Sequence, residues 1–517
     1  MINSIKFKSA ITALYILGLI GVANADGRSN ANDSFVTDPN GSGEIDLGET
    51  IHLDSKGYPK LESFQTIYDE MDYQGAVSAY LQAIPQMALF GSLKTNHFYG
   101  ATGNTDTLVM HKDPAVNGML TPNKVVFYGV NIANLAESGP MVYEYPAGAT
   151  AGLIMDMQMR FRADLGLTSL YTGRQVVKYL VLTEDQDLPD ESINQEKHEY
   201  VVVRVKTNQV FFGYRVLDPV NSPGLERELK IYPYSERDEP KPNKFFQAKK
   251  SDDTYFMTQP IGMAYWERLH EYIQIERVNE ADRFMMARLK AVGIEIGKDF
   301  NPTPRQIKIL KKAAMVGEKM AMISSFAARS QAAKYRDDSK WVHPLTLNPS
   351  HRDGPIYQLE QRVDWAFEAY GVSTAMQAGI PGKGSTYLAA YRDKEGQWLD
   401  GEKEYVFHIA PDAPAARFWD LSVYRMETRG LLPFKEGSIN AINTFTENLK
   451  KNADGSIDIY FGPGKAQEGY ENNFINTIEG MRWFCYFRLY GPTTTYFDRS
   501  WKMYDIQKIN HNQKGKH

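Results

Sequence analysis

The chain has 517 residues, 43% of them hydrophobic and 23% charged, a composition typical of a globular protein with about three domains. Its formal net charge of −5 and the lack of a basic stripe in the sequence argue against a nucleic-acid partner. Because Cys485 is the only cysteine, the chain cannot form an intramolecular disulfide, and the aromatic neighbours of Cys485 predict a packed, inert thiol.

The N-terminus has the pattern of a signal peptide. Lys6 and Lys8 precede an apolar run over residues 10–22, and small residues at 23 and 25 follow it. The run is too short to cross a bilayer, which takes about 20 apolar residues. We therefore expect residues 1–25 to be removed during Gram-negative-type export, leaving a periplasmic or secreted protein with no membrane span.

A polar arm, residues 26–57, contains a loop with the spacing of an EF-hand calcium site. Five side chains and one backbone carbonyl (that of Glu44) would supply the ligands: Asp38, Asn40, Ser42, Glu44, Asp46 and Glu49. Gly43 occupies the position of the sharp turn. The loop predicts weak calcium binding, with a Kd on the order of 10⁻⁴–10⁻³ M. The alternative is a solvated acidic arm that binds nothing.

The next segment, residues 58–100, has a helical pattern of hydrophobic residues at three- and four-residue spacing. The clearest members of this pattern are Tyr73, Val77, Tyr80 and Ile84. Pro85 is expected to bend or end the helix. Residues 101–232 then change to short strands separated by turn residues, which predicts a β-sandwich.

Residues 233–335 return to a helical pattern. One helix is predicted over residues 261–292, and another begins at a capping box made by Thr303 and Gln306 around Pro304. Residues 336–517 predict a second β-sandwich with turns every ten or so residues. In it, the apolar run over residues 483–490 is broken only by Arg488, which indicates a central strand. The predicted fold class is multidomain α+β, mainly β.

Several motifs resemble a bacterial family of paired domains of unknown function, 1254 at the N-terminus and 1214 at the C-terminus. The motifs lie at residues 121–123, 139–142, 293–298, 418–424, 452–463, 471–474 and 488–492. The resemblance implies an immunoglobulin-like sandwich, a helical domain and a jelly roll, with no settled reaction. The chain departs from the family pattern after Asn123, where Lys124 replaces the usual asparagine, and at Phe474, where the family has tryptophan.

The first functional hypothesis is an exported, hydrolase-like enzyme that acts on a small organic ligand in a cleft between the two sandwiches. The candidate catalytic residues are polar side chains, most of them in apolar strands: Arg488, Glu471, Asn473, Tyr424, Arg429 and Asp156. The alternative is that Arg488 and Glu471 form a structural ion pair.

The second hypothesis is a noncatalytic module that binds a sugar, a lipid or a small aromatic molecule through Trp419, Tyr387 and Tyr391. The third is a structural or interaction protein whose acidic arm orders with calcium; a homo-oligomer is left open. Because the sequence has no Rossmann fingerprint and no phosphate loop, no nucleotide cofactor is expected. A polar cleft with a perturbed carboxylate favours the enzyme, and an aromatic-lined groove without one favours the binding module.

Overall fold

Strand-forming sequence is concentrated in two parts of the chain, and helical sequence lies before and between them. The computed structural model describes residues 52, 54–111, 118–169, 175–194, 199–248, 256–377, 379–432 and 439–509. The predicted signal peptide (1–25) and the predicted calcium loop (38–49) lie outside these ranges. The chain divides into two units, Met1–Tyr68 and Asp69–His517. In the first unit, the Asp54 carboxylate accepts the backbone N–H groups of Lys56 and Tyr58 and closes a turn.

The described helices are α1 (Phe64–Phe98), α2 (Leu135–Ser138), α3 (Met263–Ile275), α4 (Arg283–Ala291), α5 (Pro304–Phe326), α6 (Leu359–Glu368) and α7 (Thr494–Phe497). The predicted capping box at the start of α5 is confirmed, since Thr303 and Gln306 satisfy each other's backbone N–H groups. Helix α1 runs through Pro85, so of the two predicted outcomes the end of the helix is wrong, and a bend stays a prediction. The buried side chains around Pro85 offset the hydrogen bond that proline removes.

The single helix predicted over residues 261–292 is also wrong, because the structure has two helices there. Residue Glu276 is already extended at the end of α3. A capping box between Asn279 and Asp282 then starts the turn that leads into α4. The carboxylate of Glu276 is buried and accepts the backbone N–H groups of Asn208 (2.7 Å) and Gln209 (3.3 Å). These two hydrogen bonds connect the end of α3 to the chain at residues 208–209.

The first β region contains the strands β1 (Thr107–Met110), β2 (Phe127–Asn134), β3 (Met141–Tyr145), β4 (Thr150–Asp156), β5 (Phe161–Gly166), β6 (Val177–Thr183), β7 (Tyr200–Val205), β8 (Gln209–Val216), β9 (Lys230–Pro233) and β10 (Phe245–Gln247). They form two sheets, with the orders β10-β1-β2-β8-β4-β5 and β7-β6-β3-β9. Side chains from both sheets, such as Phe212 and Val181, share one buried core.

The second β region follows a short hairpin of β11 (Arg352–Asp353) and β12 (Ile356–Tyr357). Its strands are β13 (Ser385–Ala390), β14 (Tyr405–Ile409), β15 (Ala415–Arg425), β16 (Ala441–Asn443), β17 (Ile457–Gly462), β18 (Phe474–Asn476), β19 (Trp483–Pro492) and β20 (Gln507–Lys508). The sheet orders are β13-β19-β15-β16 and β18-β17-β14-β20. The prediction of a central strand around Arg488 is confirmed, because β19 lies inside its sheet and is buried along its length.

The second core of these two sheets joins residues such as Phe407 and Phe487. A separate and larger core joins helices α1, α3, α5 and α6 to the outer faces of one sheet from each β region. The predicted multidomain α+β class is confirmed, while the immunoglobulin-like and jelly-roll topologies stay predictions. Among the described residues, the helices lack the combination of length and apolar character that crossing a bilayer requires.

The buried Glu276 predicts a pH-dependent stability. Burial raises the pKa of its carboxyl from 4.5 to about 8, opposed by the two backbone N–H groups. Because the folded pKa is the higher one, the contribution of Glu276 to stability is fully present below about pH 4.5 and is lost as pH rises through 8. The change corresponds to roughly 5 kcal/mol at most.

We expect Glu276→Gln to remove this loss, since the amide stays neutral. Chemical denaturation at several pH values should show the free energy of unfolding of the variant rising relative to that of the wild type between pH 4.5 and pH 9. Glu280→Gln, an exposed carboxylate on the same connection, is the matched control and should show no such trend. A wild-type-to-variant difference that is constant with pH would contradict the assignment.

Candidate functional site

The two faces of β19 have different chemistry. Cys485, Phe487 and Leu489 point into the core of the second β region. The alternate residues Tyr486 and Arg488 point to the opposite face, as the period of two requires. Cys485 is fully buried, and burial raises the pKa of its thiol, in agreement with the inert cysteine predicted from its neighbours. One strand therefore builds a hydrophobic core on one side and a polar, aromatic wall on the other.

The facing wall comes from the first β region. On β8, Phe211, Gly213 and Arg215 share one face, and Arg215 pairs in register with Tyr128 of β2. Because Gly213 has no side chain, the ring of Phe211 packs over its backbone in the middle of this face. A Cβ atom at Gly213 would lie 2.5 Å from the ring of Phe211, so the position has no room for a side chain while that ring stays in place.

A cleft of about 750 Å³, counting space that opens to solvent, lies between these walls. Its polar lining combines two arginines with tyrosine hydroxyls and one amide: Arg215, Arg488, Tyr128, Tyr370, Tyr387, Tyr486, Tyr490 and Asn123. Apolar surface comes from Leu120, Val130, Leu153, Phe211 and Trp365. Within the described ranges, the lining includes no Asp, Glu, His, Cys, Ser or Lys.

A bridging segment, Thr121–Asn123, lines the cleft. It leaves the first β region and is hydrogen bonded to the second. The N–H of Thr121 donates to the Arg429 carbonyl (2.8 Å), and the carbonyl of Thr121 accepts from Arg488 Nη2 (2.6 Å). Both Thr121 (φ 40°) and Arg429 (φ 57°) have left-handed backbone conformations, which are rare for residues with side chains. The hydrogen bonds between the two regions hold this strained geometry in place.

The rest of the bridging segment is fixed in the same way. The hydroxyl of Tyr424 donates to the Pro122 carbonyl (2.7 Å). Asn123 Nδ2 donates to the hydroxyl of Tyr490 (2.9 Å), and its backbone N–H donates to the hydroxyl of Tyr128 (2.9 Å). The segment therefore sets the spacing between the two walls.

Arg488 is neutralised inside the second β region. Its Nη1 lies 3.2 Å from Oδ2 of Asp420, the residue directly opposite it on β15, and donates to the Tyr424 hydroxyl (2.5 Å). Burial raises the pKa of Asp420, and the charge of Arg488 opposes that rise. The predicted ion pair of Arg488 with Glu471 is wrong. Glu471 is exposed and accepts the backbone N–H of Gly469, because it lies in a turn beside the other sheet.

Arg215 has a different environment. It is partly accessible, and none of the described carboxylates lies within 4 Å of its guanidinium, which interacts with the hydroxyl of Tyr387. Burial acts to lower the pKa of Arg215, but the oxygens of Tyr387, Tyr490 and Tyr128 raise it above its ordinary value. The guanidinium is therefore charged and has hydroxyls around it, but no counter-ion among the residues that the structure describes.

Of the other predicted candidates, Tyr387 lines the cleft, and Tyr424 and Arg429 support the bridging segment. The remaining candidates have structural contacts elsewhere. Asp156 forms ion pairs with Arg160 and Arg162. Asn473 forms hydrogen bonds with the backbone of Lys450 and Asp458. Trp419 packs in the core of the second β region, and the hydroxyl of Tyr391 donates to Glu368.

Sequence reasoning missed Arg215, Gly213 and Glu368. Arg215 could have been found by the argument that selected Arg488, since it is also a charged residue in an apolar strand. Glu368 is a buried carboxyl bonded by the hydroxyls of Ser325, Tyr391 and Tyr486. Burial raises its pKa, and the three hydroxyls oppose the rise. Across the described part of the chain, no three His, Cys, Asp or Glu side chains are grouped so that they could hold a metal ion.

The two arginines of the cleft should differ in their effect on stability. Arg488→Gln leaves Asp420 buried without its counter-charge and should lower the free energy of unfolding by about 3–5 kcal/mol. Arg215→Gln removes no ion pair and should cost no more than about 1 kcal/mol. Denaturant titration measures both values. The double variant Arg488→Gln/Asp420→Asn should recover part of the loss, and equal losses for the two single variants would contradict this division.

Comparisons with known proteins agree with the two-part organisation. Residues 101–231 match the model of DUF1254, and residues 384–494 match the model of DUF1214; each is described as a protein of unknown function. The cleft lies between these two parts, because Arg215 belongs to the first match and Arg488 to the second. No curated protein matches the sequence.

Two solved structures are similar over most of the chain. The VPA0106 protein from Vibrio parahaemolyticus is 17% identical with a TM-score of 0.49, and the match covers 85% of this chain and 100% of that one. An uncharacterized protein from Burkholderia cenocepacia is 10% identical with a TM-score of 0.38, and the match covers 86% and 94%. Along the chain, a match to DUF1254 is therefore followed by a match to DUF1214.

Proposed function

We propose that the protein binds a small organic anion, a carboxylate with an apolar body, in the cleft between the two β regions. The observation that carries this proposal is Arg215, a partly accessible cation with no carboxylate within 4 Å among the described residues. A desolvated charge is costly unless it is paired, and a ligand carboxylate would supply the missing partner. Arg488 is already paired with Asp420, and its Nη2 donates to the Thr121 carbonyl of the bridging segment.

The apolar part of the ligand would lie against Leu153, Phe211 and Trp365, close to the backbone of Gly213. Small-molecule sites usually combine such apolar walls with a few polar groups that fix orientation. Here the polar groups are arginine and tyrosine side chains held by hydrogen bonds, so little rearrangement is needed on binding.

The lining favours a binding module over the hydrolase-like enzyme. A hydrolase needs a nucleophile or a general base, and the described lining has no carboxylate, imidazole, thiol or serine hydroxyl. The hydroxyl of Thr121, which is also in the lining, donates to the Glu368 carbonyl (3.1 Å) and has no base beside it among the lining residues. The sugar-binding alternative relied partly on Trp419 and Tyr391, and both are buried in packed clusters away from the cleft surface. Export to the periplasm and calcium binding by residues 38–49 stay predictions from the sequence.

Replacement of Arg215 should weaken carboxylate binding selectively. With phenylacetate and hexanoate as probes, isothermal titration calorimetry should show Arg215→Gln raising Kd about 10–100-fold, because a hydrogen bond to a charged group contributes about 1.5–3 kcal/mol. Arg215→Lys should be intermediate, since lysine keeps the charge but loses the planar fork.

The controls separate charge from shape. Phenylacetamide, which is neutral, should bind the wild type at least about tenfold more weakly than phenylacetate. Phenyl phosphate tests whether the site prefers a phosphate over a carboxylate. Arg482→Gln, at an exposed arginine that pairs with Glu427, should leave all affinities unchanged. Absence of carboxylate binding by the wild type, or an unchanged Kd in Arg215→Gln, would contradict the proposal.

A side chain at Gly213 should also impair binding. In Gly213→Ala, the new methyl group would displace the ring of Phe211 towards the cleft, so the affinity for phenylacetate should fall about tenfold or more while the melting temperature changes little. Gly464→Ala is the matched control, because a Cβ at that position meets nothing within 4 Å. Unchanged affinity in a folded Gly213→Ala variant would show that the ligand does not occupy this part of the cleft.

A further inference from the structure

A second pocket adjoins the cleft, and the two share Tyr387 and Met376 as a common wall. The outer pocket has a volume of about 830 Å³, counting space that opens to solvent. We propose that it is the second half of one binding site and that the ligand is an elongated dicarboxylate with an acid group at each end. This inference rests on the proposed function of the cleft.

The common wall is the edge of β13. Thr386 and Tyr387 are consecutive on this strand, so their side chains point to opposite faces. The hydroxyl of Tyr387 reaches Arg215 in the cleft, while the backbone of Tyr387 is hydrogen bonded by the ring of His343 in the outer pocket. Met376 is the other shared residue, and its unbranched side chain can adjust to a passing alkyl chain.

The outer pocket is polar but carries little charge of its own. A chain of hydrogen bonds links Thr386 Oγ1 to the hydroxyl of Tyr496 (2.8 Å) and that hydroxyl to His343 Nδ1 (3.3 Å). Burial lowers the pKa of His343 to about 4, so the imidazole is neutral at pH 7. The charged side chain in the described lining of this pocket is therefore Arg499.

Arg499 is exposed, so water solvates its charge, and it resembles Arg215 only in having no carboxylate nearby among the described residues. No described carboxylate lies within 4 Å of its guanidinium, which stands 5.9 Å from the centre of the Tyr335 ring. The neighbouring Asp498 carboxylate instead accepts the backbone N–H of Ser500. Arg499 also has a left-handed backbone conformation (φ 59°), which its hydrogen bond to the Tyr496 carbonyl helps to hold.

The arrangement is thus two arginines, one in each pocket, neither with a described carboxylate within 4 Å, and an aromatic ring and a methionine form the wall that the pockets share. A monocarboxylate can satisfy only one of the arginines. A ligand with an acid group at each end of an alkyl chain can satisfy both, while its methylene groups lie against Met376 and the ring of Tyr387. The position of one arginine in each of two adjoining pockets therefore favours an α,ω-dicarboxylate whose chain is long enough to reach both.

The test compares two series of probes on the full chain by calorimetry: α,ω-dicarboxylates from succinate to sebacate, and linear monocarboxylates of the same carbon numbers. In the wild type, the affinity of the dicarboxylates should peak at one chain length, with a Kd at least about tenfold below that of the matching monocarboxylate. Arg499→Gln should remove this advantage and leave the affinity for monocarboxylates unchanged. Arg215→Gln should weaken both series.

The outcomes separate the two proposals. If monocarboxylates bind through Arg215 but Arg499→Gln leaves the affinity of every dicarboxylate unchanged, the outer pocket is not part of the site, and the proposed function stands. If neither series binds, or if Arg215→Gln affects neither series, both proposals are wrong. Because Arg499 is exposed, Arg499→Gln should fold normally, and Arg482→Gln serves as the surface-charge control.

Discussion

The contact of Arg488 with Asp420 and with the Thr121 carbonyl is the interaction on which the cleft depends. The ion pair lies between neighbouring strands of one sheet, and the second Nη atom of the same guanidinium reaches a loop of the other β region. A buried arginine needs most of its donors satisfied, so the two contacts depend on each other. The register of β15 and β19 places Asp420 opposite Arg488, and Arg488 in turn binds the bridging segment. The distance between the two walls is therefore fixed.

The strained bridging segment shows why this fixation is needed. A β-branched residue such as Thr121 rarely adopts a positive φ, and its backbone partner Arg429 has the same rare conformation. Neither would be stable in an isolated loop. Hydrogen bonds to Arg488, Tyr424 and Tyr490 hold the segment, so its geometry exists only when both β regions are in place.

Elements of the fold that depend on periodicity or on local capping can be predicted from the sequence. Features that depend on contacts between residues distant in the chain cannot. The central strand around Arg488 and the capping box at Thr303 follow from local pattern. The partner of Arg488 does not, because Asp420 is placed opposite it by strand register. Local signals were also overlooked: the break before α4 has its own capping box, and Arg215 interrupts an apolar strand as Arg488 does.

The difference between Arg215 and Arg488 is the physical basis for assigning them separate roles. Both lie on sheet faces that meet at the cleft, yet of the two only Arg488 has a carboxylate beside it in the described part of the chain. Tyrosine hydroxyls reduce the cost of burying the Arg215 charge, but dipoles compensate a charge less completely than a counter-ion does. The unpaired charge of Arg215 lowers the stability of the fold, and an aspartate placed beside it would restore that stability. That cost is explained if the missing carboxylate belongs to a ligand, because a charge already neutralised by the protein could not select an anion.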